Sequence, residues 1–432
     1  MPPSAAVPPP APAARTKNQV AVPVVLDYLL SYLGFYCVLP VLPTLLTRIH
    51  PGAGPLLIGT SLFVFTFTYK GASLFCASLL QRLSIRVALP GGLLVAGAGF
   101  LLLPLSANPV VFLAFLVLSG IGISVNGITA RMYVAIALSE PKARNYVYSG
   151  IQVAVNVSAA IGPIVANFLV RGAHPTRLLP LVAAIYWISA AVITLCVPSG
   201  MRPGAQDARK PLRLGLLKAM AADPQVRRVS LVTVVGSFLY GQFFSAFSIH
   251  ITRLTESAAV RASFYTFNAV LIVALQMAVS AYTNRGLERG RGPVHFLLVG
   301  IVAFTGSLAV LAAGGSTLAA AYAAVALFSL AEMFFTPMVS TAFADFGNDR
   351  PMVEVFNFRQ VASTAGESLG GFAGGALFLQ AAQHHLGPAY WAGVSLFGLL
   401  SAAFFGLRRT PSAPPLQAPA AEPATPEPAH AG

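Results

Sequence analysis

The sequence predicts an all-α integral membrane fold: twelve transmembrane helices arranged as two pseudo-symmetric six-helix bundles. Three observations point to it. The chain of 432 residues is 56% hydrophobic and only 9% charged, against about 25% charged in an average soluble domain. That leaves too little polar surface to cover a water-soluble globule. The apolar residues gather into about twelve segments near the roughly 20 residues that span a hydrocarbon core. These segments divide six and six about one long basic connection, and the two sets echo each other.

Taken in order, residues 1–19 form a Pro/Ala-rich tail with no apolar stretch before Arg15, so no cleavable signal is visible and the tail is expected to stay disordered. The first bundle is expected over 20–197. Its spans are 20–47, with Asp27; 56–80, where FVFTFTYKGASLF sets Lys70 in an apolar run; 87–106; 109–138, with Arg131; 145–169, with Gly162-Pro163; and 178–197. A basic cytoplasmic linker, 198–225, contains LRLGLLKAM, a short amphipathic stretch suited to the membrane surface. The second bundle, 226–408, has spans at 226–254, 259–284, 293–314, 317–344, 353–380 and 388–407. Residues 409–432 form a second Pro/Ala-rich tail, again expected to be disordered. Gly and Pro are frequent within the spans, which membrane helices tolerate.

Basic residues orient the chain. Nineteen Lys and Arg fall on the side that holds both termini and five on the other, with Lys70, Arg131 and Arg359 left inside spans. The positive-inside rule then puts both termini in the cytoplasm. The formal charge of +14 does not indicate nucleic-acid binding, because the basic residues are scattered through short connections. Cys37, Cys76 and Cys196 lie in apolar segments with no disulfide or metal-ligand spacing. No catalytic constellation, phosphate-binding loop or metal set is present, so neither enzyme chemistry nor a cofactor is expected.

The halves repeat. Leu33-Gly34 is echoed by Tyr240-Gly241 and AIAL (135–138) by AFAD (342–345), both 207 positions on; AAIGP (159–163) is echoed by ESLGG (367–371) one position further. A parallel repeat of two six-helix halves is the plan of a transporter class that binds substrate between the halves near mid-membrane.

Several segments resemble the major facilitator superfamily, and within it the twelve-span drug/proton antiporter-like exporters, over about residues 20–408. NVSAAIGPIVANFLV (156–170) resembles the fifth-helix antiporter motif, with Ser158, Gly162 and Pro163. LSGIGISVNGITARMYVAIAL (118–138) resembles the fourth helix, with Gly120, Gly122, Gly127 and Arg131. AEMFFTPMVSTAFAD (331–345) resembles the tenth and SYLGFYCVLPVLPTLL (31–46) the first. The resemblance implies secondary transport, with export implied by the fifth-helix motif and a gating role for Ser158, Gly162 and Pro163. Small residues there let helix backbones approach closely. The chain departs from the superfamily at the loop after span two. There Ala77, Gln81 and Ser84 replace Gly, Asp and Gly, and of the charges in the usual latch only Arg82 remains.

Charges inside spans are expected to face a cavity and to pair. Asp27 lies at the depth of Lys70 and Arg131 and is expected to neutralise one of them as a structural charge. Glu332 and Glu367 lie near mid-span in the second half. Arg359, a further structural charge, sits eight residues before Glu367 on the same helix face. Lys70, Arg131, Glu332 and Glu367 are the candidate substrate-binding or proton-coupling residues. Asn126, Gln152, Tyr240 and Gln242 are candidate cavity-lining residues, with Asn156 and Gln276 weaker ones.

The function these features favour is proton-coupled export of a small molecule, either a drug-like compound or a carboxylate metabolite or siderophore, by a monomer in the bacterial inner membrane. A proton-coupled importer of an organic acid or peptide-like solute is the alternative within transport. A non-transporting membrane sensor or assembly protein is the alternative outside it.

Overall fold

The computed structural model describes residues 17–80, 83–138, 141–171, 174–198, 215, 218, 220, 222–314, 317–348 and 352–407. Most of the two tails, most of the linker with LRLGLLKAM, and the Gln81-Arg82 pair lie outside the described residues.

Each of the twelve expected spans coincides with a helix: α1 Lys17–Val38, α2 Pro55–Leu80, α3 Ile85–Leu102, α4 Pro109–Ala137, α5 Pro141–Arg171, α6 Leu178–Cys196, α7 Pro224–Phe244, α8 Ala258–Glu288, α9 Pro293–Gly314, α10 Leu318–Ala344, α11 Met352–Phe372 and α12 Gly387–Leu407. Ten of these are long and apolar enough to cross a membrane by length and composition; α2 and α11 fall outside that set. Lys70 lies on α2, and Arg359 and Glu367 lie on α11. Among the described residues there is no strand.

Local chemistry sets the starts. Asn108 and Asp223 each accept hydrogen bonds from the first free N–H groups of α4 and α7, at 3.0 and 3.1 Å for Asn108 and 2.9 and 3.2 Å for Asp223. Each is followed by a proline at the first helical position, where a missing N–H costs nothing. The first, seventh and eleventh spans are less regular than the pattern predicts. The first passes through a 3-10 turn, Leu39–Val41, before a short helix Leu42–Ile49, because Pro40 cannot donate to the ladder. The seventh breaks at Ser245 and resumes as Ala246–Leu254. The eleventh continues through a π-helical segment, Ala373–Phe378. The first helix also begins at Lys17, inside the stretch expected to be tail.

The packing repeats as the sequence does. In the first half α1 packs on α5 and α6, and α4 on α2 and α3; in the second, α7 packs on α11 and α12, and α10 on α8 and α9. The halves meet along α2–α11 and α5–α8. These two seams exchange under the pseudo-two-fold that maps α1–α6 onto α7–α12. Glycines in the echoed motifs do equivalent work. A Cβ on Gly162 would sit 2.7 Å from the Tyr36 Cβ on α1, and Gly370 is pressed likewise onto Phe238 and Gly241 of α7. Helix backbones in lipid associate through such close packing.

Candidate functional site

α1 presents Tyr28, Tyr32 and Tyr36 four residues apart, which places them on one face of the helix. Their rings form a ladder: Tyr28 stacks on Tyr32 with centroids 5.5 Å apart, and Tyr36 follows at 6.2 Å from Tyr32. From the second half, Tyr240 and Phe244 project at the same spacing, 6.0 Å apart. Tyr36 meets Phe244 across the halves at 6.1 Å. A small chamber lies against this contact, lined in part by Thr66, Tyr69, Tyr240, Phe244 and Glu367.

Of the intramembrane charges, Glu367 lines this chamber. Lys70 of α2 forms an ion pair with Glu367 of α11, joining the halves; their side chains are 24% and 11% exposed. Gln360, two turns before Glu367, donates to the Lys70 carbonyl at 2.6 Å. Glu332 of α10 is held by neutral donors: the Tyr240 hydroxyl and the Asn268 amide, each at 3.4 Å, with Asn268 also donating to Ser329 at 2.9 Å. Arg131 of α4 is exposed, beside Tyr28, Tyr32 and Tyr148. Arg359 is partly buried, and its Nε has no hydrogen-bond partner among the described residues.

Three expectations are corrected. Asp27 does not neutralise Lys70 or Arg131. It is 1% exposed and accepts from Ser189 of α6 at 2.7 Å and from Asn126 of α4 at 3.1 and 3.4 Å. Its side chain points into the first bundle, away from Lys70, because equal depth along two helices does not fix the direction of either side chain. Asn126 is spent on that bond and does not line the chamber. Gln242 is likewise 1% exposed; it donates to the Gly370 carbonyl at 3.2 Å and accepts from the Tyr390 hydroxyl at 2.6 Å, tying α7 to α11 and α12. Gln152 is exposed on α5, with its amide 3.4 Å from Asn156. Ser158, Gly162 and Pro163 sit where α5 packs on α1, within one half. The Ser158 hydroxyl lies 2.8 Å from both the Leu29 and Ala154 carbonyls, and α5 continues helical through Pro163.

Sequence reading missed Asn268, Ser329, Tyr69 and Gln360. Asn268 donates to both Ser329 and Glu332, and Tyr69 lines the chamber with Glu367. The four-residue tyrosine spacing of α1 was the available signal for the aromatic wall.

Among the described residues, the hydrogen bonds between halves run from mid-span to the end opposite the termini. They join Lys70 to Glu367, Gln360 to the Lys70 carbonyl, Thr266 to the Ala160 carbonyl at 3.1 Å and Arg261 to Asn167 at 3.2 Å. Gly59 of α2 packs there against Phe372 and Ala376. The far side of the chamber is therefore closed.

Comparison with known proteins agrees with this architecture. The family model described as Major Facilitator Superfamily matches residues 24–371. The chain is 22% identical to the multidrug resistance protein MdtH of Cronobacter sakazakii over 375 residues, covering 87% of this chain and 90% of that protein. Among solved structures it resembles a POT family transporter in complex with a thioalcohol-conjugated peptide (TM-score 0.73, 11% identity, 89% of this chain and 94% of that one). It also resembles a D-xylose–proton symporter (TM-score 0.66, 15% identity, 90% and 96%).

Proposed function

Because the chain belongs to the major facilitator superfamily, whose members are multi-pass membrane transporters and not enzymes, we propose that it exports an amphiphilic small molecule against inward proton flow. It would do so as a monomer in a bacterial inner membrane, with both termini cytoplasmic. The carrying observation is the division of labour between two carboxylates, Glu367 lining the chamber and Glu332 behind the chamber residue Tyr240. Glu367 is committed to a cation from the opposite half, while Glu332 is held only by neutral donors.

That difference has a chemical consequence. A lysine satisfies only the carboxylate form of its partner. A tyrosine hydroxyl and an amide can turn to serve either form, since each carries both donor and acceptor atoms. Glu332 is the group whose protonation leaves its surroundings hydrogen-bonded, so it is the proton carrier in this reading. The Lys70–Glu367 pair is the bolt that holds the far side shut.

Cargo enters from the termini side and lies against Tyr32, Tyr69, Tyr240 and Phe244, where aromatic faces accept flat apolar bodies. Opening of the far side exposes Glu332 to the outer solution, where it takes a proton as cargo leaves. Coupling requires only that cargo and proton each favour a different state of the seam. Relatives named for multidrug resistance support export of drug-like amphiphiles.

The test is flux in inverted vesicles under an imposed proton gradient, with a panel of fluorescent amphiphiles. Proton-driven uptake into inverted vesicles, lost in Glu332→Gln, supports the reading. Uptake of the same compounds only in right-side-out vesicles shows import instead. Absence of flux in both orientations, with the protein folded in the membrane, returns the sensor reading.

A further inference from the structure

Helix α8 sorts its side chains by chemistry in the half nearer the termini. Gln276, Ser280 and Asn284 recur every four residues on one face, as polar groups that look into a bundle do. Leu271, Leu275, Ala278 and Tyr282 line another face, where Leu275 and Tyr282 are 44% and 55% exposed. Exposed apolar side chains on a spanning helix meet lipid. Tyr282 is held at the end of this face by edge contacts with Phe296 of α9 and Phe334 of α10, at 6.3 and 6.0 Å. A tyrosine so placed marks the level of the lipid headgroups.

Three and seven residues further on, the same face carries Arg285 and Arg289, both exposed. The helix then stops in a left-handed turn. Gly290, at φ +80°, donates to the Leu287 carbonyl at 2.9 Å, and the Arg291 N–H donates to the Gly286 carbonyl at 3.0 Å. Glycine takes that conformation without strain. The second bond folds Arg291, also exposed, back beside the turn that bears Arg285. Among the described residues none of these three arginines is in an ion pair, and the one acid on the same turn, Glu288, pairs with none of them. Guanidiniums gathered without a counter-charge repel. A phosphate in their midst relieves that cost, because its oxygens match the guanidinium fork.

We propose that Arg285, Arg289 and Arg291 form a headgroup site for an anionic phospholipid in the leaflet on the termini side, with an acyl chain lying along the face of Leu275, Ala278 and Tyr282. A soluble phosphate compound matches the arginines but not the apolar face that leads up to them. α8 also carries Thr266, which donates to Ala160 of α5, and Asn268, which donates to Glu332. The lipid is therefore seated on a helix that joins the seam to the second carboxylate. The inference needs only that the chain lies in a membrane, and it stands apart from the export reading.

The experiment is native mass spectrometry of the full-length chain, released from detergent micelles that carry equimolar dioleoylphosphatidylglycerol and dioleoylphosphatidylcholine. The unsubstituted protein should retain one phosphatidylglycerol about 10- to 100-fold in preference to phosphatidylcholine, the factor three basic residues at a membrane surface supply. The triple variant Arg285→Gln, Arg289→Gln, Arg291→Gln should lose that preference. A control that removes the same charge from other exposed positions, Arg48→Gln, Arg86→Gln, Arg177→Gln, should keep it. Glycerol 3-phosphate, a headgroup fragment with no acyl chain, should not displace the lipid at equal concentration. A melting scan reports whether each variant folds. If the triple variant does not, the three single variants decide, each expected to lower the preference several-fold. Equal retention of the two lipids by the unsubstituted protein overturns the site. So does a preference undiminished in the triple variant or in all three single ones, or one lost equally in the control. Displacement by glycerol 3-phosphate overturns the lipid assignment in favour of a soluble anion. The readout needs no flux, so failure of the lipid site is distinct from failure of export.

Discussion

Removing Lys70 should unbolt the far side. Lys70→Met keeps the length of the side chain but leaves Glu367 without a cation. Breaking one side of a fully buried ion pair costs about 3–5 kcal/mol. Here the side chains are 24% and 11% exposed, so solvent screens part of the loss, and about 2–3 kcal/mol is the expected cost. The pair joins α2 to α11, so the cost falls on the state in which those helices touch. It becomes a shift of about 30- to 150-fold toward the state in which they are apart. The assay is labelling of a single cysteine at Leu62, which is 2% exposed against Gly371 in the closed seam, in a background with Cys37, Cys76 and Cys196 replaced by Ser. In detergent-solubilised protein, Lys70→Met should raise the maleimide labelling rate by tens of fold. Glu367→Gln should do so less, since it leaves Lys70 free to reach water through the chamber. The double variant should fall well short of the summed single effects, because the uncompensated carboxylate is gone. Additive single effects, or a labelling rate unmoved by Lys70→Met, would refute the bolt.

Glu332→Gln should leave the fold intact and retain cargo–cargo exchange while losing proton-driven flux; equal loss of both would make Glu332 a packing residue. Asp27→Ala should cost about 2–4 kcal/mol, because the Ser189 hydroxyl and the Asn126 amide lose their acceptor, and Asp27→Asn should cost less because one carbonyl acceptor remains. Melting midpoints in detergent check the order, and an alanine variant as stable as the parent removes the triad. Gly59→Leu should hold the far side open, since a Cβ there already lies 2.7 Å from both the Ala376 Cβ and the Phe372 carbonyl. Gly54→Leu, which meets nothing within 4 Å, is the control, and equal labelling at Leu62→Cys in the two variants would count against a tight seam at Gly59.

The helices and their grouping were legible because hydrocarbon imposes a strong demand on composition: every span from α1 to α12 is an apolar run of the expected length, and the echo between AAIGP and ESLGG returned as the paired roles of Gly162 and Gly370. Depth was legible too, since rise per residue is fixed. Side-chain direction and partner were not. Lys70 and Glu367 are 297 positions apart, and nothing local to either specifies the other. Asp27 matched Lys70 and Arg131 in depth and faces neither, because its α1–α4–α6 environment already supplied two neutral donors. The amides of Asn126 and Gln242 were equally ambiguous. An amide in a span either lines a cavity or binds a neighbouring backbone or side chain, and packing alone decides.

Among the described residues, three carboxyl groups are buried deep within the spans, and each has a different kind of partner. Asp27 lies at 1% exposure with a hydroxyl and an amide, remote from the seam. Its role is confined to one half, where it ties α1 to α4 and α6 and lets that half move as a unit. Glu367 has a lysine from the other half, so its charge is a contact between moving bodies, and it registers whether they touch. Glu332 has neutral partners from its own half, one of which, Tyr240, lines the chamber, so its charge can change without breaking a contact between the halves. A transporter driven by protons needs all three conditions: rigid halves, a tie that distinguishes states, and a titrating group that can be emptied in one state and filled in the other. If the three residues were interchangeable, swapping the environments of Glu332 and Glu367 by moving the lysine would be silent. Lys70→Met combined with Asn268→Lys moves the cation from Glu367 to Glu332, and it should abolish proton-driven flux and leave the far side unbolted at once.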